Sequence, residues 1–352
     1  MARAYINGIG VLTSQETANG VPEQVTGVVA DYLKCLEPDY KQFINPIAAR
    51  RMSRLIKMGI TTARLAMADA GLEMPDAIIT GTGLGSVEDT EKLLGEIRTG
   101  TSIVNPTPFI QSTYNTISSQ IAINMKCHNY NSTYVHRSVS FESAMMDGLL
   151  QLEEGMAGQV LAGGIDEMTP THLGIIRRLG HWKMEPASNL DLLSYATPGA
   201  LAGEGAGFFV IGREAGANAY CAVEFLETWF PATDGSSGTI EVTEVLSRRG
   251  YRVEDIDLLI LGYNGDKEYD TIYDRVSDPH FPGKPAAWYK HISGEYYTAT
   301  AVGIWMAANI LKRQHVPESV LLKGPLLSRI RNILLYNQYR GGYHTLYLLS
   351  AL

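Results

Sequence analysis

Glycine-punctuated apolar residues over positions 4–12 predict an opening β-strand. Pro46 then opens a helical stretch over residues 47–70, in which Met52, Leu55, Met58, Ile60, Ala63, Leu65 and Met67 recur at helical spacing. Gly71 ends it. The buried run 77–80 predicts a strand leading into the turn Gly81-Thr-Gly-Leu-Gly85, and Ser86 stands where an N-cap would start a helix over 87–97. Further on, the pattern predicts a helix at 116–125, a strand at 131–135, a nearly all-apolar helix at 138–154 and a short strand at 159–162. Alternating strands and helices of this kind call for a parallel or mixed sheet covered on its faces by helices.

The chain echoes itself. Leu65-Ala-Met-Ala-Asp-Ala-Gly71, Asp76 and Ala77-Ile-Ile-Thr-Gly81 have a counterpart in Val245-Leu-Ser-Arg-Arg-Gly250, Asp255 and Ile256-Asp-Leu-Leu-Ile-Leu-Gly262. A second echo, an apolar helix followed by a buried strand, spans 140–162 in one half and 297–322 in the other. Two copies of one α/β unit predict pseudo-twofold halves, divided here at residues 1–213 and 214–352, with a site where helix N-termini and strand ends converge.

Composition narrows the function classes. The 352 residues carry 29 Lys+Arg against 37 Asp+Glu, a net charge of -8, with no basic stripe, so nucleic acid is not an expected partner. The longest uncharged stretch near the C-terminus, 296–311, is shorter than the roughly 20 residues of a membrane span. Three scattered cysteines form neither a disulfide framework nor a zinc motif, the eight histidines have no metal-ligand spacing, and the first residues lack a secretory h-region. These features read as a cytoplasmic protein with no metal. Gly81–Gly85 lacks the last glycine and the acid of a dinucleotide fingerprint, so no cofactor is expected.

Six blocks, in order, resemble the β-ketoacyl synthase branch of the thiolase superfamily. They are Met52-Ser-Arg-Leu-Ile-Lys-Met with the helix that follows, Gly81-Thr-Gly-Leu-Gly85, Leu161-Ala-Gly-Gly-Ile-Asp-Glu167, Gly203-Glu-Gly-Ala-Gly207, Asp255 through Gly265, and Lys290-His-Ile-Ser-Gly-Glu295. The resemblance implies a thiolase-like, five-layered αβαβα fold. It also implies an acyl-transferring site built on a cysteine and two histidines, a dimer centred on the strand at 131–135, and an acyl carrier protein as partner.

At that site the sequence departs from the family. Counting back from Ala162-Gly-Gly164 places Ser138 at the nucleophile position; the two histidines fall on Asn264 and Glu295, and the lysine remains as Lys290. The glycine-rich gate is shortened to Asn337-Gln-Tyr-Arg-Gly-Gly342, and the chain is short for the family between residues 220 and 238. Serine needs a base that a thiolate does not, Asn264 cannot take a proton, and an anionic Glu295 would repel a developing enolate. His136, two residues from Ser138, is the nearby candidate for an auxiliary base. Arg50, Arg51, Arg54 and Lys57 are a candidate carrier-protein surface, with Arg177 and Arg178 a weaker one.

The resemblance therefore implies a subunit of type II fatty acid or polyketide synthesis, including polyene pigments. The specific expectation is a non-condensing, chain-length-factor-type partner of an active ketosynthase, in a heterodimer or paired with itself. The alternative is an acyltransferase or hydrolase of acyl thioesters with Ser138 as nucleophile.

Overall fold

The computed structural model describes residues 3–100, 105–230, 238–325 and 328–352. Eleven strands form one mixed sheet: β1 (Ala4–Leu12), β2 (Ala77–Gly81), β3 (Tyr130–Tyr134), β4 (Gln159–Asp166), β5 (Gly205–Gly212), β6 (Cys221–Trp229), β7 (Leu258–Leu261), β8 (Ala286–Trp288), β9 (Leu321–Lys323), β10 (Asn332–Tyr339) and β11 (Tyr343–Ser350). Their spatial order is β9-β8-β7-β10-β11-β6-β1-β5-β4-β2-β3.

The internal repeat becomes a topological repeat. From β1 the first half runs β1-β5-β4-β2-β3 with pairings antiparallel, antiparallel, parallel, parallel. From β6 the second half runs β6-β11-β10-β7-β8 with the same four directions. The halves meet where β1 pairs antiparallel with β6, Tyr5 opposite Ala222. One detail of the second echo is corrected here. The counterpart of β4 is β10, not the strand after the apolar helix, because β9 is a three-residue edge strand antiparallel to β8.

Strand residues alternate between two buried environments, which is why these strands read as continuous apolar runs. In the first half Ile79, Val160, Ala162, Phe209 and Ile211 face a central core, while Ile78, Leu161, Ile165, Phe208 and Val210 face an outer one. The outer core is closed by α1 (Arg54–Ala70) and, beyond the helix α2 (Val87–Arg98), by α3 (Thr116–Met125). The central core holds α4 (Ser140–Glu153), and the opposite outer layer carries α5 (Gly238–Arg248) and α6 (Lys267–His280). A last helix, α7 (Thr300–Arg313), packs beside α4 with 12 of its residues buried. Helix, sheet, paired helices, sheet, helix make the five layers. At Gly10 a Cβ would run into the backbone of α1, so the absence of a side chain sets how closely that helix lies on β1.

Three element boundaries differ from expectation. The helical stretch 47–70 is interrupted: one turn spans Pro46–Ala49, and α1 starts anew at Arg54 behind Ser53, whose ψ of 165° is extended. The apolar helix expected at 138–154 begins at Ser140, leaving Ser138 in a 3₁₀ turn, Arg137–Val139. Strand β4 runs on through the Gly-Gly pair to Asp166, because β5 continues to pair with it there. The expected short segment between 220 and 238 includes residues 231–237, which lie outside the described residues. Among the described residues no helix is long and apolar enough to cross a membrane.

Candidate active site

The turn between β3 and α4 carries Ser138. Ser140 Oγ accepts the His136 N–H at 2.8 Å and donates to the Arg137 carbonyl at 2.7 Å, which fixes the turn. Gly81 makes room for it, since a Cβ there would strike the backbone of Ser140 and Phe141. Ser138 is 4% exposed, and its Oγ has no hydrogen-bond partner among the described residues.

Asn264 lies in the loop after β7. Its backbone N–H and that of Gly265 donate to the two oxygens of Asp270, at 3.1 and 2.8 Å. Its side-chain Oδ1 accepts the Asp266 N–H at 3.0 Å, which leaves Nδ2 aimed at Glu295 Oε2, 2.6 Å away. Glu295 is held by its backbone between Leu201 and Gly203, N–H to Leu201 O at 2.8 Å and Gly203 N–H to its own O at 2.9 Å. The same Oε2 forms an ion pair with Lys290 Nζ, a side chain fully buried. Asn264, Lys290 and Glu295 thus form one closed cluster, and neither Ser138 nor His136 belongs to it.

The candidate Ser138/His136 pair is not formed among the described residues. The His136 ring lies edge-on to Tyr343 at 5.7 Å and to Phe230 at 6.3 Å, and its side chain is turned outward into that aromatic group. Glu295 Oε2 is occupied by the Lys290 ammonium and the Asn264 amide and makes no hydrogen bond with the Ser138 hydroxyl. Ser138 therefore has no proton acceptor in hydrogen-bond reach among the described residues.

Four further buried carboxyl groups were not singled out as site residues in the sequence. Glu142, on α4, is fully buried, and among the described residues neither oxygen has a hydrogen-bond partner of good geometry; burial pushes it up to about 7, opposed by the nearby Thr300 and Thr345 hydroxyls and the Lys290 charge. Asp270 is likewise raised to about 7 by burial against the two N–H groups it accepts. Asp166 joins the two halves, accepting from Gly83 N–H at 2.7 Å and from both the N–H and hydroxyl of Thr298 at 2.9 Å; burial raises it to about 6. Glu204, the acid of the Gly203–Gly207 block, accepts from Cys35 and Met168 N–H groups at 3.1 and 3.0 Å. An acid inside an all-apolar helix, as Glu142 is, was the readable signal.

Glu204 also corrects the expected carrier-protein surface. Arg54 turns inward and grips it with Nη1 at 2.8 Å and Nη2 at 2.6 Å, with Glu37 alongside. A carboxylate out of water needs such a counter-ion, so Arg54 is an internal partner rather than part of a docking face. Arg50 and Arg51 are exposed, and Lys57 lies 5.5 Å over the Tyr40 ring.

Comparisons with known proteins bear on the fold and the family. The model of the β-ketoacyl synthase N-terminal domain matches residues 9–217. No curated protein matches the sequence. A β-ketoacyl synthase from Burkholderia phymatum is similar in structure, with a TM-score of 0.80 at 15% identity and 100% of both chains covered. The ishigamide ketosynthase/chain length factor gives a TM-score of 0.79 at 19% identity, covering 100% of this chain and 99% of that one. A ketosynthase in complex with its chain length factor from Xenorhabdus doucetiae gives 0.75 at 14%, covering 100% and 98%. With more than half of its length matched by the family's own model, the chain belongs to the β-ketoacyl synthase family.

Proposed function

We propose that this chain is a non-condensing partner of an active ketosynthase, acting as chain-length factors do to shape the space into which a growing acyl chain extends. One observation supports the reading: Ser138 Oγ has no hydrogen-bond partner among the described residues, and Glu295, at a position where the resemblance implies a histidine, is paired with Lys290 and Asn264. Removing one oxyanion donor typically slows such chemistry about 10²- to 10³-fold, and here the nucleophile is replaced as well.

Two surface features support a partner. Among the described residues strand β3 is a sheet edge, paired with β2 alone, so its outer N–H and C=O groups suit an added strand. Around it stand exposed apolar side chains, among them Phe109, Ile110, Ile123 and Val135. Beside the same edge a cleft of about 1120 Å³, lined by Leu84, Val87, Leu94, Tyr114, Val135 and Ile175, offers apolar room for a chain. Acyl carrier protein would engage the assembled pair, with the exposed Arg50 and Arg51 as the remaining basic candidates.

The test is co-expression with a ketosynthase that has the cysteine and both histidines. We expect co-purification, no condensation by this chain alone with acyl- and malonyl-carrier protein, and condensation by the pair. Condensation by this chain alone overturns the reading. An acyl adduct seen by intact mass, and lost in Ser138→Ala, would replace it with the acyl-transfer alternative.

A further inference from the structure

The cleft beside β3 has apolar walls and one polar border. Val87 and Leu94 line it from α2, and His172 and Ile175 line it from a nine-residue helix, Pro170–Arg178, that follows β4. Leu84, Val87 and His172 also border a second, enclosed void of about 10 Å³, room for one water-sized group. Glu167 and Trp182 are among its other walls.

The groups around this void are short of partners. Trp182 is 3% exposed and packs in a small core with Met168 and Leu173. Its Nε1, which can only donate, has no hydrogen-bond partner among the described residues. The His172 ring makes no hydrogen bond among the described residues, and burial holds it below its ordinary value, so the imidazole is neutral and able to accept. Glu167 receives the Glu88 N–H at 3.0 Å, and burial, with the charges of Glu88, Asp89 and Glu204, pushes it up to about 7. Asp166, also on the void, is already engaged by Gly83 and Thr298.

Three kinds of end group fit this void badly. A carboxylate would face two acids, a methyl would leave the indole N–H buried without an acceptor, and an ammonium has no lone pair to offer it. A hydroxyl both accepts and donates, and it has the right size. We propose that the cleft takes an elongated apolar ligand ending in a hydroxyl group, which enters the void, accepts from Trp182 Nε1 and donates to the His172 imidazole. Entry requires the shared side chains to turn aside, and the His172 ring has no hydrogen bond to lose. This rests on the reading above in giving the cleft to a chain, and goes beyond it in naming how that chain ends.

Calorimetric titration of this chain compares 10-hydroxydecanoate with undecanoate, which carries a methyl group in place of the hydroxyl. An apolar cleft without a polar end favours undecanoate, because burying an unpaired hydroxyl is costly. The hydroxy acid is expected instead to bind at least about fivefold tighter. Trp182→Phe keeps an aromatic ring and removes the N–H, so the preference should vanish or reverse while undecanoate affinity stays within about twofold. His172→Leu, at a half-buried position, should also remove the preference, and it decides the matter if Trp182→Phe folds poorly. Undecanoate binding as tightly as the hydroxy acid, or tighter, overturns the proposal, and so does a preference that survives in folded Trp182→Phe. If neither probe binds, the assignment of the cleft to a chain falls with it. The partner role stands or falls separately, on the co-expression assay.

Discussion

Glu142→Gln isolates the cost of placing a carboxyl group inside the central helix pair. Glu142 is fully buried on α4, and its environment raises it from 4.5 to about 7. The folded protein therefore holds this proton more tightly than the unfolded chain. The associated stability is fully present below pH 4.5 and is lost as pH rises from there through 7. A displacement of that size corresponds to roughly 3 kcal/mol between the two ends of the window. Glutamine has nearly the same shape and no charge at any pH, so the variant lacks this contribution to the slope. Denaturant unfolding of both proteins at intervals from pH 5 to 8.5 gives the difference directly, and the other buried acids, Asp166 and Asp270, cancel because both proteins contain them. The variant should gain on the parent as pH rises, by on the order of 2 to 3 kcal/mol between the ends. A difference flat across the range, or one that grows toward acid, would refute the reasoning, and would mean that Lys290 or an internal water neutralises the carboxylate.

Three other outcomes follow from the geometry. Arg54→Ala leaves Glu204 buried without its counter-ion and should destabilise the fold by about 3 to 5 kcal/mol, measured by denaturant midpoint, whereas Arg50→Ala should be close to neutral. Ser138→Cys should support no detectable condensation, because on the proposed reading Asn264 and Glu295 stand where the two histidines would; product formed by the single variant would show that the nucleophile alone was missing. Val135→Asp sets a charge at the end of the exposed edge strand and should weaken association with a partner ketosynthase at least about tenfold without lowering the unfolding midpoint; unchanged co-purification would move the interface elsewhere.

Spacing and residue type determined a good deal. The strands at 4–12 and 77–81, the helix at 116–125, and the placement of Ser138 ahead of the apolar helix were legible because each depends on a local period or a fixed count from a glycine pair. The family resemblance came from short blocks whose glycines allow close approaches that no other residue permits. Local pattern also misled where tertiary contacts decide. Arg54 looks like one more exposed base in Arg50-Arg51-Met-Ser-Arg54 until Glu204, 150 residues away, is folded against it. Ser138 and His136 look like neighbours, but the left-handed turn at Arg137 sends the imidazole to Phe230 and Tyr343.

The sequence by itself determined most of the elements and the repeat, and put Ser138, Asn264 and Glu295 where the resemblance implies a cysteine and two histidines, since those are properties of single positions and near neighbours. Only the tertiary structure decided what the replacements do. Whether Glu295 is a free base or a captured counter-ion depends on Lys290 and Asn264 reaching the same oxygen from separate loops, in an interior where an unpaired charge is too costly to persist.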